Sequence, residues 1–134
     1  MNSVPCVLVV DDTPALRLLI RINLELEGFD VSEAVDGMDA LEQLALLPDD
    51  ELPDLITFDV VMPRMDGFEA ASAVRADPRF ADVAVVMVTT QAGPADIFQA
   101  REIGVDAYVT KPFEPDELTA TLRQVLADRA RSDR

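Results

Sequence analysis

Four apolar runs along the chain are continuous rather than alternating: CVLVV at 6–10, LITF at 55–58, VAVVMV at 83–88 and AYV at 107–109. A strand with one wet face alternates apolar and polar residues, so an unbroken run predicts a strand covered on both faces, as inside a parallel sheet. FDVSEA at 29–34 does alternate and predicts an edge strand. Between the runs lie helical patterns with readable ends. Pro14 stands at a first helical position with Gly28 beyond the end, Gly37 precedes MDALEQLALL, Gly67 precedes FEAASAVRA, Pro94 is matched by Gly104, and Pro115 precedes DELTATLRQVLA. The order is strand then helix, repeated through the chain. Parallel neighbours need a crossover connection, and its hand is nearly fixed. The expected fold is therefore α/β, a doubly wound five-stranded parallel sheet, for which the order 2-1-3-4-5 is the common solution. It forms one domain over 1–134 with its core at about 5–127. PDDELPD at 48–54 reads as a solvated connection, and the charged tail at 128–134 as a fraying end.

A chain of 134 residues, 49% of them hydrophobic, has the size and composition of one folded domain. Its net charge of −15 argues against direct contact with nucleic acid or an anionic membrane, because both need a basic patch. Cys6 is the single cysteine, so no internal disulfide forms, and its apolar run predicts a buried, inert thiol. The N-terminus lacks the basic region of a signal peptide and no apolar segment approaches membrane-spanning length, so a cytoplasmic location without membrane insertion is expected. The chain contains no histidine, and chemistry that needs one must take it from a partner.

In open α/β sheets ligands bind outside the carboxyl ends of the strands, where the strand order reverses. The first strand runs into Asp11 and Asp12, the third into Asp59, the fourth into Thr89 and Thr90, and the fifth toward Lys111. Carboxylates gathered in one cleft repel unless a cation neutralises them. Carboxylate oxygens with no sulfur or imidazole nearby favour Mg2+, Mn2+ or Ca2+, with Lys111 as a second positive centre for an anion. A plainer reading of Asp11 and Asp12 alone has one capping the helix at Pro14 and the other in water. Asp59 is harder to explain that way, since it lies between an apolar strand and another apolar pair.

The segments VLVVDD, FDVVMPRMDGFE, VVMVTTQA and DAYVTKPF, in this order, resemble the signature segments of the receiver domain of two-component response regulators, of the CheY-like, stand-alone type. The resemblance implies the flavodoxin-like (βα)5 fold and makes Asp59 the phosphoacceptor. It implies Mg2+ bound directly by Asp12, Asp59 and the Val61 carbonyl, with Asp11 acting mostly through water and Mn2+ as a substitute ion. It assigns Thr89 and Lys111 to the phosphoryl group, Tyr108 to an aromatic switch, and a cis peptide bond to Lys111–Pro112. Thr90 stands where the family mostly has Ala or Gly and is expected to narrow access, while Val61 and Gln91 occupy positions that tune dephosphorylation. The implied donor is a sensor histidine kinase or a histidine phosphotransfer protein. The implied output is a downstream protein target on the surface of the fourth helix, fifth strand and fifth helix. Such a chain is no enzyme beyond catalysing its own phosphorylation and dephosphorylation.

Two rivals are weaker on the residues. A haloacid-dehalogenase-like phosphohydrolase carries D-x-D after the first strand, whereas here the order is Asp11, Asp12, Thr13. A docking adaptor on the same fold usually lacks an acidic residue or the lysine, and neither G-x-G-x-x-G nor a P-loop is present to favour nucleotide binding.

Overall fold

A computed structural model describes residues 4–132 of the chain. The strands are β1 (Cys6–Val10), β2 (Asp30–Ala34), β3 (Leu55–Phe58), β4 (Ala84–Thr89) and β5 (Ala107–Thr110). The helices are α1 (Pro14–Leu26), α2 (Gly37–Leu46), α3 (Gly67–Ala76), α4 (Pro94–Ile103) and α5 (Pro115–Ser132). All strand pairs are parallel, in the order β2-β1-β3-β4-β5. Three of the continuous apolar runs are the central strands β1, β3 and β4, covered on both faces. The fourth, AYV, is instead the edge strand β5, where only Val109 is buried, because three residues are too short a run to separate an edge from a centre. On one face Leu8, Val10, Ile56 and Phe58 pack against α2, α3 and α4 through Leu44, Phe68, Val74 and Ala100. On the other, Val7, Val9, Val86 and Val88 pack against α1 and α5 through Ile20, Leu24, Leu118 and Leu122. The alternating segment is the edge strand β2, with Val31 and Ala34 buried and Asp30 and Ser32 exposed.

Register sets the functional edge. Ala34, Val10, Phe58, Met87 and Tyr108 lie across one row of the sheet. Asp11 and Asp59 each follow that row by one residue, and the ladder continues through them. The Asp11 amide donates to Ala34 O at 3.3 Å and the Asp59 amide to Val10 O at 3.1 Å. Sheet hydrogen bonding thus holds both aspartates at the carboxyl edge.

The turn after β3 folds back hard on this edge. Gly67 donates its amide to Val60 O at 2.8 Å, and a Cβ at Gly67 would lie 2.1 Å from the Asp59 carbonyl oxygen. No side chain fits there, so glycine at the start of α3 lets the helix approach the aspartate. Asp66 caps the same helix, accepting the Glu69 amide at 2.8 Å while Glu69 accepts the Asp66 amide at 3.0 Å.

Other expectations need correction as well. The tail does not fray at 128: α5 continues to Ser132, and Arg129 donates to Asp106 at 2.8 Å and to the Ala81 carbonyl at 2.6 Å, tying its charge into the fold, while 133–134 of the expected fraying end lie outside the described residues. The 48–54 connection is more than solvated loop. It contains one 3-10 turn at Asp49–Glu51, and the Asp54 carboxylate accepts the Cys6 amide at 2.8 Å. Cys6 is only half-buried, and burial followed by the charge of Asp30 raises its thiol pKa, which keeps it protonated and unreactive. Thr89 and Thr110 extend β4 and β5 by one residue beyond the apolar runs.

Gly67→Ala should lower the unfolding free energy by about 3 kcal/mol, because backbone must move to admit the methyl group. Gly28→Ala is the control, since Gly28 has φ +92° with open space around it. It should cost only about 1 kcal/mol of left-handed strain. Urea unfolding of both variants measures the difference, and equal losses would show that the contact with Asp59 is not the constraint.

Candidate functional site

Asp11, Asp12 and Asp59 each offer an oxygen within 4.8 Å of the others. Asp11 is buried at 2% exposure, Asp59 is partly buried and Asp12 is exposed, so the cluster opens to solvent on the Asp12 side. Lys111 enters from the end of β5. Its Nζ donates to Asp11 Oδ2 at 2.8 Å and to Asp59 Oδ2 at 2.9 Å. Burial works most strongly on this ammonium and favours its loss of a proton, yet the hydrogen bonds from Asp11 and Asp59 outweigh it and hold the pKa above the ordinary lysine value. Lys111 is the only lysine in the chain, a signal in the sequence that marks this position. Three carboxylates against one ammonium leave a formal charge of two negatives at an all-oxygen cluster. That donor set suits a hard divalent cation.

The end of β1 is fixed from several sides. Asp11 Oδ1 accepts the Thr13 amide at 2.9 Å, and Arg17 Nη1 donates to the Asp11 carbonyl at 2.7 Å while Arg17 Nε pairs with Glu33 at 2.8 Å. Neither aspartate caps α1. Its N-cap residue is Thr13, whose side chain makes no capping bond, and Asp11 is occupied by Lys111 and the Thr13 amide.

Thr89 is fully buried at the end of β4, and its hydroxyl accepts the Gln91 amide at 3.1 Å. The Gln91 carbonyl accepts from the Tyr108 hydroxyl, and the Gln91 side chain donates to Asp96 at 3.1 Å. One residue therefore links Thr89, Tyr108 and the first turn of α4, a role for Gln91 that the sequence pattern does not disclose. Tyr108 is half-buried, with its phenol pushed up to about 12 by burial and then by the charges of Asp96 and Asp59. Val61 is 62% exposed beside the cluster, Thr90 is exposed, and the Lys111–Pro112 peptide bond is cis.

Residues 7–123 match the family model of the response regulator receiver domain. The chain belongs to that family. The receiver is 41% identical over 120 residues to the chemotaxis protein CheY1 of Helicobacter pylori strain J99, covering 89% of this chain and 94% of that protein. It is 40% identical to the DNA-binding dual master transcriptional regulator RpaA of Synechocystis sp., covering 91% of this chain and 49% of that protein. The chain spans about half the length of such transcriptional regulators. Among solved structures, the Vibrio cholerae chemotaxis protein CheY4 superposes with a TM-score of 0.84 at 32% identity, covering 92% of this chain and 99% of that one. This membership sets aside the dehalogenase-like reading. No helix among the described residues is long and apolar enough to cross a membrane.

The receiver has one tyrosine, so tyrosinate absorbance reports Tyr108 alone. In the folded state it should titrate near 12 rather than at the ordinary 10.0. A folded pKa above the unfolded one gives stability that is present below pH 10.0 and is lost as pH rises toward 12. Tyr108→Phe should remove that component of the alkaline loss, and a folded-state midpoint at 10.0 would place the phenol in water.

Proposed function

We propose that this receiver is the phosphoacceptor of a two-component phosphorelay and that Asp59 carries the phosphoryl group. The bridge of Lys111 across Asp11 and Asp59, at 2.8 and 2.9 Å, is the observation that supports this reading best. Lys111 engages Asp59 Oδ2, and no donor among the described residues holds Oδ1, which makes Oδ1 the attacking atom. Oδ1 attacks phosphorus, the bond from phosphorus to the donor nitrogen breaks, and the imidazole leaves with the donor, because this chain has no histidine. Asp12, Asp59 and the Val61 carbonyl would hold Mg2+, or Mn2+ in its place. The ion supplies, when bound, neutralisation of the charge on the phosphoryl oxygens. Lys111 is the chain's own counter-charge for the same oxygens. The acceptor catalyses only its own phosphorylation and dephosphorylation.

A sensor histidine kinase or histidine phosphotransfer protein is the proposed donor. Leu18, Leu19 and Ile22 are exposed on α1, whose first turn follows Asp12, and offer such a donor an apolar surface beside the acceptor. Output runs through Thr89. Its hydroxyl accepts from Gln91, and its own proton has no acceptor among the described residues, so it is available to a phosphoryl oxygen. Movement of Thr89 is felt at Gln91, whose carbonyl holds Tyr108. The face of α4, β5 and α5 then changes, and the exposed Ile97 and Phe98 of α4 support it as the surface for a downstream protein. Thr90 restricts the entrance, and Val61 and Gln91 set the lifetime of the acyl phosphate. The acidic charge of −15 argues against direct nucleic-acid contact by this domain and suits a cytoplasmic protein partner.

Incubation with acetyl phosphate and Mg2+ should add the mass of one phosphoryl group to the intact chain, and Asp59→Ala should abolish the addition. An adduct that survives in Asp59→Ala overturns the assignment. Millimolar Mg2+ alone should raise the melting temperature by a few degrees, since a ligand of the folded state stabilises it by mass action. Asp12→Ala should remove that rise, and the same rise in the variant would put the ion elsewhere.

A further inference from the structure

The segment between Asp59 and α3 is seated on the N-terminus of α2 by contacts that the phosphoacceptor reading does not use. Arg64 has φ +67°, left-handed backbone that a side chain other than glycine rarely adopts. Its guanidinium forks onto Asp36, with Nε to Oδ2 at 2.8 Å and Nη2 to Oδ1 at 2.9 Å. Asp36 is nearly buried and also caps α2, accepting the Asp39 amide at 2.8 Å. The guanidinium, followed by that amide, holds its carboxyl below the usual range. Next to it, Gly37 lets the loop close in, since a Cβ there would lie 2.9 Å from the Met65 carbonyl oxygen. The loop is thus tied at Val60 by the Gly67 amide and at Arg64 by Asp36, with Val61 exposed between the ties.

We propose that Arg64 is a positioning residue of the receiver, whose two-pronged hold on Asp36 keeps the 60–66 loop in the conformation that presents the Val61 carbonyl to the acid cluster. The inference rests on the proposed role of that cluster as a Mg2+ site. A strained backbone persists only when its surroundings over-determine it, and here the fork supplies the determination. A loop already held in place loses less freedom when an ion binds. Arginine suits the task because a lysine could not reach both oxygens of Asp36 in one plane.

Calorimetric titration of the full chain with Mg2+, paired with melting in the absence of Mg2+, tests this. Arg64→Gly removes the fork and relieves the left-handed strain, and Asp36→Asn removes the charge while keeping a capping oxygen for α2. Each should weaken Mg2+ binding about tenfold, as loss of a supporting partner around a metal site typically does. The double variant should be no weaker than either single one, because both lose the same contact. Arg64→Lys should remain impaired. Affinity within twofold of wild type in Arg64→Gly overturns the proposal, as does additive weakening in the double variant. A fall in melting temperature with unchanged affinity would make the contact structural only, which also overturns it. A wild-type chain that takes up no Mg2+ overturns the phosphoacceptor reading as well, whereas equal affinities overturn this inference alone.

Discussion

Lys111 lies between Asp11 and Asp59, and without its ammonium the carboxyl edge of the sheet would gather like charges that partial burial makes costly. Asp11 is 2% exposed and cannot shed its charge into water, so its partner has to come from within the fold. That partner arrives from the end of β5, on the far side of β3 and β4, so the bridge needs β1, β3, β4 and β5 to be paired. The arginines do different work. Arg75, for example, links α3 to the Gly104 carbonyl, the Val83 carbonyl and Asp106 in fixed directions. A lysine is a compact point charge on a flexible stem, and it can keep its hold on a carboxylate cluster whose charge changes. The single lysine of the chain stands between two carboxylates that follow different strands.

Around this bridge the backbone comes unusually close. Gly67 brings α3 against the Asp59 carbonyl, and Gly37 brings α2 against Met65, so the loop between Asp59 and α3 is packed on two sides. Polar ties complete the frame, with Arg17 on the Asp11 carbonyl and Arg64 on Asp36. Asp12, Val61 and Thr90 are among the exposed parts of the site, where a small ligand would enter. Rigid support beneath an open mouth is the arrangement that lets charged groups act without first being reorganised.

At the end of β4, the Gln91 backbone connects the buried Thr89 to the half-buried Tyr108, its amide donating to the Thr89 hydroxyl and its carbonyl accepting from the Tyr108 hydroxyl. These two bonds fix the Thr89 hydroxyl and the Tyr108 phenol relative to one backbone segment. The acidic composition hides how many of the basic groups are already used: Arg21, Arg79 and Arg129 all pair with carboxylates, and Arg79 and Arg129 also reach backbone carbonyls.

The strands were legible in the sequence because burial on both faces leaves an unbroken apolar run, and LITF and CVLVV coincide with β3 and β1. The alternation of strand with helix then implied a doubly wound parallel sheet, for which 2-1-3-4-5 is the common order with five strands, and the ends of the apolar runs placed Asp11, Asp12, Asp59 and Lys111 at its carboxyl edge. What stayed hidden was contact between distant residues. Arg64 meets Asp36 across 28 positions with no local sign of it, whereas Lys111 was expected at the edge that holds Asp59 and Asp11, and the structure adds its direct bridge to both across 52 and 100 positions. The tail looked free because nothing in its local pattern shows that Arg129 reaches Asp106, 23 positions earlier, beyond the local pairing of Arg131 with Asp128. Hydrophobic periodicity speaks only of a residue's own face and its neighbours within a turn or two. Which charges pair, and which glycine must yield to a carbonyl, were decided by register and packing once the sheet had formed.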